Sequence, residues 1–147
     1  MRHTAEDKRK HLEMLQGVIN RMASNSFLFK GWSITIIAGV SAFATKEMSL
    51  ALMVIPIVST LLFWGIDAYY LAQERLYRDL YNDVATRSPS AIDYGMKTEK
   101  MTLKVWFAAS RRPILIGFYG VVLLMLIGLL FVLGLLNVTA EVTINAA

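Results

Sequence analysis

The segment SLALMVIPIVSTLLFWGIDAYYLAQERLYRDLY, residues 49–81, decides the fold of this chain. Its first part, to about Leu71, is apolar and long enough to cross a membrane. Its second part keeps apolar residues at helical spacing among charged ones, and no break signal separates the two parts. We therefore expect a helix that spans the membrane and continues into water, with one acidic residue, Asp67, inside its apolar part. Pro56 predicts either a kink or a carbonyl that binds the hydroxyl of Ser59 or Thr60.

Two further segments are apolar enough to span a bilayer. Residues 27–45 supply about 28 Å of helix at 1.5 Å per residue, which just crosses the hydrocarbon core. Only Lys46, Glu47 and Met48 separate this span from the second one, so the first two spans form a hairpin. Residues 114–136 form a third, almost uniformly apolar span.

The fold class that follows is an all-α integral membrane protein with three transmembrane helices and a cytoplasmic stalk made of a helical hairpin. Of the 147 residues, 56% are hydrophobic, and they are concentrated in the long runs. The polar start is too long for a secretory signal peptide. The expected parts are a cytoplasmic amphipathic helix (1–26), a transmembrane hairpin (27–71), a cytoplasmic extension with a loop and an interfacial helix (72–112), a third span (113–136) and an extracytoplasmic tail (137–147).

Basic residues predict the orientation. Most lie before or at the first span or between the second and third spans, and only Lys46 lies on the opposite side. Because lysine and arginine are retained on the cytoplasmic side, the N-terminus is expected in the cytoplasm and the C-terminal tail outside. This tail is expected either to form a small strand or to be disordered.

Hairpin geometry predicts two charge pairs. Residues at equal distance from the turn lie at similar depth, so Lys30 is level with Asp67, and Arg21 with Glu74. Pairing removes much of the cost of placing a charge in a span. The two pairs either lock the hairpin or serve gating or proton transfer. Replacing Asp67 with Asn distinguishes these hypotheses, because a structural role predicts loss of assembly.

The same register makes the apolar stripe of the first helix face that of the second. Leu12, Leu15, Ile19 and Met22 are expected to lie opposite Tyr77, Leu80, Tyr81 and Val84. Membrane-surface binding is the alternative for the N-terminal stripe. A stalk of two helices buries little surface, so other subunits or the third segment are expected to complete its core.

Small side chains share one face of the first span, which is called the small-residue face below: Gly31, Thr35, Ala38, Gly39, Ala42 and Thr45. Such a face is typical of close helix packing, because small residues let backbones approach in lipid. Pore lining is the alternative. A group of five basic residues and one tryptophan precedes the third span and is called the basic cluster below: Lys97, Lys100, Lys104, Trp106, Arg111 and Arg112. It predicts either contact with anionic lipid headgroups or a role only in setting the orientation of the protein in the membrane.

The sequence offers no pattern typical of an enzyme. His3 and His11 lie in a charged stretch without partners at ligand spacing, so neither a metal site nor a cofactor is expected. Phosphate-binding and nucleophile motifs are absent from the sequence, and so is cysteine. Asp79 and Asp83 lie one turn apart and are expected to be solvated. Nothing suggests nucleic acid as a partner.

Two runs of sequence carry a resemblance. They are LEMLQGVINRMASNS (12–26), followed by Lys30-Gly31-Trp32, and FWGIDAYYL (63–71), followed by ERLYRDLY (74–81). The chain resembles a widespread group of small bacterial inner-membrane proteins of uncharacterised function. More loosely, it is similar to the SLATT-type effectors linked to nucleotide-signalled phage defence and to RipA-type octameric membrane proteins. It departs from the SLATT group in its third span and shows no fused sensor domain.

This resemblance implies homo-oligomerisation in the inner membrane, with pore formation proposed for the SLATT group. The function expected first is therefore a homo-oligomeric channel or large pore. The alternative is a non-conducting scaffold that binds a cytoplasmic protein or anionic lipid through its basic residues. A transporter is disfavoured, because the sequence shows no internal repeat or paired broken helices.

Overall fold

A computed structural model describes the backbone of residues 4–145 and the side chains of residues 4–140, 142 and 143. The first helix, α1, spans Ala5–Lys46 without interruption and so joins the expected amphipathic helix to the first span. A capping box starts it. The Thr4 hydroxyl accepts a hydrogen bond from the Asp7 amide (3.2 Å), and the Asp7 carboxylate accepts one from the Thr4 amide (2.8 Å). The two bonds satisfy amide groups that lack partners within the helix.

The turn after α1 is longer than the expected three residues, because the second helix, α2, spans Val54–Thr86 rather than starting at Ser49. Met48 has a left-handed backbone conformation with φ of 50°. Its amide donates to the Thr45 carbonyl and the next amide, that of Ser49, donates to the Ala44 carbonyl, both at 3.1 Å. This is a Schellman motif, which satisfies the last carbonyl groups of α1.

Pro56 does not act as an interior helix breaker. It is the third residue of α2, where the amide hydrogen it lacks would have no partner within the helix. The expected kink is therefore wrong. Thr60 Oγ1 donates to the carbonyl of Pro56 itself at 2.7 Å. The carbonyl that the missing amide would leave free is that of Leu52, and it accepts a hydrogen bond from the Ile55 amide at 3.2 Å. The expected bond to a freed carbonyl is therefore not the one observed.

The break after α2 falls where the sequence predicts it. The helix ends at Thr86, and a 3-10 turn follows at Pro89–Ala91. Residues 92–102 have no regular secondary structure, so the next helix begins later than the expected Thr98. This helix, α3, spans Leu103–Ser110, and the Thr102 hydroxyl accepts a hydrogen bond from the Val105 amide at 3.3 Å. Thr102 therefore caps α3 and fixes its start.

The last helix, α4, spans Pro113–Asn145 and is longer than the expected third span. The tail is helical where the structure describes it, so the expectation of a strand or disorder from residue 137 is wrong; residues 146 and 147 lie outside the described part. Thr139 and Thr143 donate their hydroxyls to the carbonyls of Leu136 and Thr139, both at 2.9 Å. Proline and glycine are absent from residues 135–145, so no helix breaker interrupts the described end of α4.

Three helices are long and apolar enough to cross a membrane: Ala5–Lys46, Val54–Thr86 and Pro113–Ala140. The all-α class and the three spanning helices are thus confirmed within residues 4–145. The chain divides into two compact units. The hairpin unit consists of residues 4–28 and Asp67–Ser110, and the span unit consists of Phe29–Ile66 and residues 111–145.

The hairpin unit has a core formed by both helices and the segment that follows α2. Leu15, Val84 and Ile92 are buried at its centre. The partly buried residues packed on them are Leu12, Tyr77, Leu80, Tyr81, Tyr94 and Met96. The expected facing of the two stripes is therefore confirmed for these residues. Ile92, Tyr94 and Met96 of the same chain also pack in this core. The contribution of other subunits stays a prediction.

One lysine joins the ends of the two helices in the hairpin unit. Lys8 Nζ donates hydrogen bonds to the carbonyls of Ala85 (2.8 Å) and Arg87 (2.7 Å). These carbonyls belong to the last turn of α2 and the residue after it. A positive charge at this position also interacts favourably with the negative end of the helix dipole.

The span unit has a separate apolar core, formed by Ile37, Ala44, Met53, Leu126 and Leu133. Asn137 Nδ2 donates to the Met48 carbonyl at 3.2 Å. The C-terminal end of α1 and this part of α4 therefore lie at the same level.

Replacing Leu15 with Ala is expected to lower the free energy of unfolding by about 2–5 kcal/mol, because it leaves a cavity in the hairpin core. Met14→Ala is the matched control, since the neighbouring Met14 side chain is 57% exposed. Thermal unfolding of both variants in detergent, followed by circular dichroism, measures the difference. Equal midpoints for the two variants would contradict this core.

Candidate functional site

Asp67 is a fully buried carboxylate on α2, inside the apolar part that extends to about Leu71. The Ser26 hydroxyl of α1 donates a short hydrogen bond to its Oδ1. A buried carboxyl oxygen without a hydrogen-bond partner costs about 1–3 kcal/mol. The Ser26–Asp67 contact therefore joins the two helices of the hairpin unit at a buried position.

Ser26 was not among the residues singled out from the sequence, although it lies one helical turn before Lys30 on the same face of α1. The register that places Lys30 level with Asp67 thus also brings Ser26 near. Lys30 is half-buried. Its pairing with Asp67 stays a prediction.

Glu74, the other acidic residue of the expected pairs, binds along its own helix. Arg78 Nε lies 2.6 Å from Glu74 Oε1, one turn further along α2. Glu74 is largely buried there, and Arg78 covers it on the solvent side. Arg21 is exposed on α1, and its pairing with Glu74 stays a prediction.

The small-residue face is open on this chain. Its members from Gly31 to Ala42 are exposed, and Thr45 is half-buried. A Cβ atom built on Gly31 or Gly39 meets no heavy atom within 4 Å outside its own helix backbone and chain neighbours. Close packing at this face is therefore not made inside the chain, and the face is available to another helix or to lipid.

Part of the basic cluster lies beside exposed apolar side chains of α3. All five of its lysine and arginine side chains are exposed, and Trp106 is half-buried with its ring 5.0 Å from that of Phe107. Leu103 is 77% exposed and Phe107, one turn later, is 49% exposed. Exposed apolar side chains beside lysines are typical of a helix that lies in the membrane interface.

His11 is a buried residue of α1. Its two ring nitrogens have no hydrogen-bond partner among the described residues. The Tyr94 ring packs edge-on against it at 5.4 Å, with Tyr94 in a left-handed conformation (φ of 57°). Partial burial, together with the nearby Asp7 carboxylate, raises the pKa of Tyr94 above its usual value. Neither helical periodicity nor motifs could have indicated this contact, because Tyr94 lies in an irregular segment.

Asp79 and Asp83 are exposed, as the sequence predicts. Asp83 forms an ion pair with Arg87 at 2.9 Å. Both aspartates line a charged depression of about 400 Å³ together with Lys97 and Glu99. Among the residues that the structure describes, no group of three or more histidine, cysteine or acidic side chains could hold a metal ion.

No protein-family model matches this chain, and no curated protein or solved structure matches it either. Inferences about function therefore depend on the contacts and exposed surfaces described above.

Replacing Ser26 with Ala is expected to destabilise the protein by about 1–3 kcal/mol, because the buried Asp67 carboxylate loses a hydrogen bond. Ser24→Ala is the matched control, since Ser24 is exposed on the same helix. Chemical or thermal unfolding in detergent measures the stability of both variants. A Ser26→Ala variant as stable as Ser24→Ala would show that the bond contributes nothing.

Replacing His11 with Phe is expected to stabilise the protein by about 1–3 kcal/mol, since two buried nitrogens without partners are removed. The phenylalanine ring keeps the aromatic contact with Tyr94. The unfolding midpoint tests this, with the exposed Gln16→Phe as a control for added hydrophobicity. A lower midpoint for His11→Phe would mean that the imidazole has a partner in solution.

Proposed function

We propose that the protein is a homo-oligomer of the bacterial inner membrane whose subunits surround a central opening, and that it acts as a channel or large pore. The observation that carries this proposal is the open small-residue face of α1, with unfilled space beside Gly31 and Gly39. The resemblance to small inner-membrane proteins and to SLATT-type and RipA-type assemblies supports the same proposal.

Helix association in lipid favours this use of the face. Lipid tails are as apolar as leucine, so helices associate through close packing and hydrogen bonds instead of hydrophobic burial. Glycine and alanine let two backbones approach closely, and Thr35 adds a hydroxyl on the same face. A face of this kind gains more from a neighbouring helix than from disordered lipid.

The proposed orientation places the N-terminus and the loop before α4 in the cytoplasm, and the end of α4 in the periplasm. The support is the distribution of lysine and arginine, since Lys46 alone lies beside the turn between the first two spans. The hairpin unit is then the cytoplasmic stalk.

The alternative is a membrane scaffold that binds anionic lipid or a cytoplasmic protein through the basic cluster. The exposed Leu103 and Phe107 side chains beside Lys104 favour this alternative. Each basic residue near an anionic surface contributes about 1 kcal/mol. Flotation with liposomes that contain or lack phosphatidylglycerol, using a Lys100→Gln/Lys104→Gln variant, measures that contribution.

Oligomerisation is tested at the small-residue face. Because the chain contains no cysteine, Ala42→Cys provides a single thiol that is expected to form a disulfide-linked dimer in membranes. Gly39→Leu is expected to abolish the oligomer, because the leucine side chain holds the helices apart. Gly117→Leu is the matched control, an exposed glycine of α4 that also has open space beside it. Equal oligomer size for both leucine variants would exclude this interface.

Conduction is tested on purified protein in liposomes. We expect solute leakage or ion current that is lost in Gly39→Leu and retained in Gly117→Leu. Absence of any conductance across voltage and pH would reject the channel and favour the scaffold. The Asp67→Asn variant tests the role of this acidic residue. Loss of assembly indicates a structural role, and intact assembly with altered current indicates a role in ion passage.

A further inference from the structure

The span unit contains an apolar groove of about 560 Å³ between α1 and α4. On α1 it extends from Ile34 to Ser41, and on α4 from Val122 to Val132. Ser41 is the sole polar residue of its lining. The groove begins near the middle of the span at residues 27–45 and ends close to the turn after α1.

The Ser41 hydroxyl lacks the bond that several other hydroxyls of the spanning helices make. Ser33, Thr35, Thr45 and Thr60 each donate to a carbonyl three or four residues earlier on their own helix. Ser41 is only 8% exposed, and its Oγ has no hydrogen-bond partner among the described residues. An unpartnered hydroxyl is costly in hydrocarbon. Because Ser41 belongs to the lining of the groove, a hydrogen-bond acceptor held there would remove this cost.

The dimensions of the groove fit a hydrocarbon chain. Ten residues of α4 extend about 15 Å, and one leaflet occupies about half of a hydrocarbon core of roughly 30 Å. The groove therefore has the length of one leaflet, and the side chains along it are apolar except for Ser41.

We propose that the groove between α1 and α4 binds one acyl chain of a glycerophospholipid from the leaflet nearest the turn, with the Ser41 hydroxyl donating a hydrogen bond to its ester carbonyl. Ser41 lies at the end of the groove nearest that surface, where the ester end of the lipid enters. The chain then extends from Ser41 towards the middle of the bilayer, along apolar side chains.

Native mass spectrometry of the full-length protein in detergent tests this site. The probes are a diacyl phosphatidylglycerol and its dialkyl ether analogue, which lacks the carbonyl. The wild-type protein is expected to retain one diacyl lipid per chain and to bind it about 2- to 10-fold more tightly than the ether, the range of one net hydrogen bond. Counting lipids per chain keeps the result separate from the oligomeric state, which the same spectra report.

Three variants complete the test. Ser41→Ala is expected to bind both lipids equally, and Ser41→Thr to restore the preference. Gly128→Leu fills the groove from α4, where a Cβ meets nothing within 4 Å, and is expected to lose both lipids. Gly117→Leu, outside the groove, is expected to behave as wild type. Equal wild-type affinity for the two lipids, lipid retention by Gly128→Leu, or a groove filled by a second copy of the chain would each overturn the proposal.

Discussion

A hydrocarbon core offers polar groups no water to bind, and the span unit is built around this constraint. Helices satisfy their own backbone in the middle, so the difficult positions are the helix ends and the few polar side chains. The Schellman motif at Met48 closes the end of α1. Hydroxyls such as those of Ser33 and Thr60 turn back to their own helix carbonyls. The buried Ser41 hydroxyl has no such partner among the described residues, and the proposed lipid site supplies one.

In the hairpin unit, two helices alone would leave one side of their shared apolar stripe uncovered. The irregular segment after the 3-10 turn covers that side with Ile92, Tyr94 and Met96. The segment also covers His11 without giving its nitrogens a partner. Lys8 secures the arrangement by binding the last carbonyls of α2. Three segments of one chain therefore pack together here, whereas most of the small-residue face of α1 is exposed.

Sequence patterns predicted those features that depend on residues close together in the chain. The apolar runs predicted the three spanning helices, and Ser88-Pro89-Ser90 predicted the end of α2. The position of Pro56 within its helix was predicted wrongly. A proline in the first turn and one inside a helix have the same sequence context until the start of the helix is known. The tail was misjudged because β-branched residues favour strands only weakly against continuation of an existing helix. The hairpin register brings Ser26 near Asp67, although Ser26 was not selected as a partner. The His11–Tyr94 contact involves an irregular segment, which no periodic pattern places.

The bonds made by Lys8 also have a consequence for biosynthesis. Its two acceptors lie 77 and 79 residues further along the chain, and Met96 of the same core comes later still. Synthesis proceeds from the N-terminus, so the first two apolar runs leave the ribosome before the hairpin core can close. During this interval the stripe of α1 around Leu15 has no covering partner from its own chain. The newly made N-terminal helix therefore exposes an apolar stripe to aggregation and chaperone binding until the hairpin core closes.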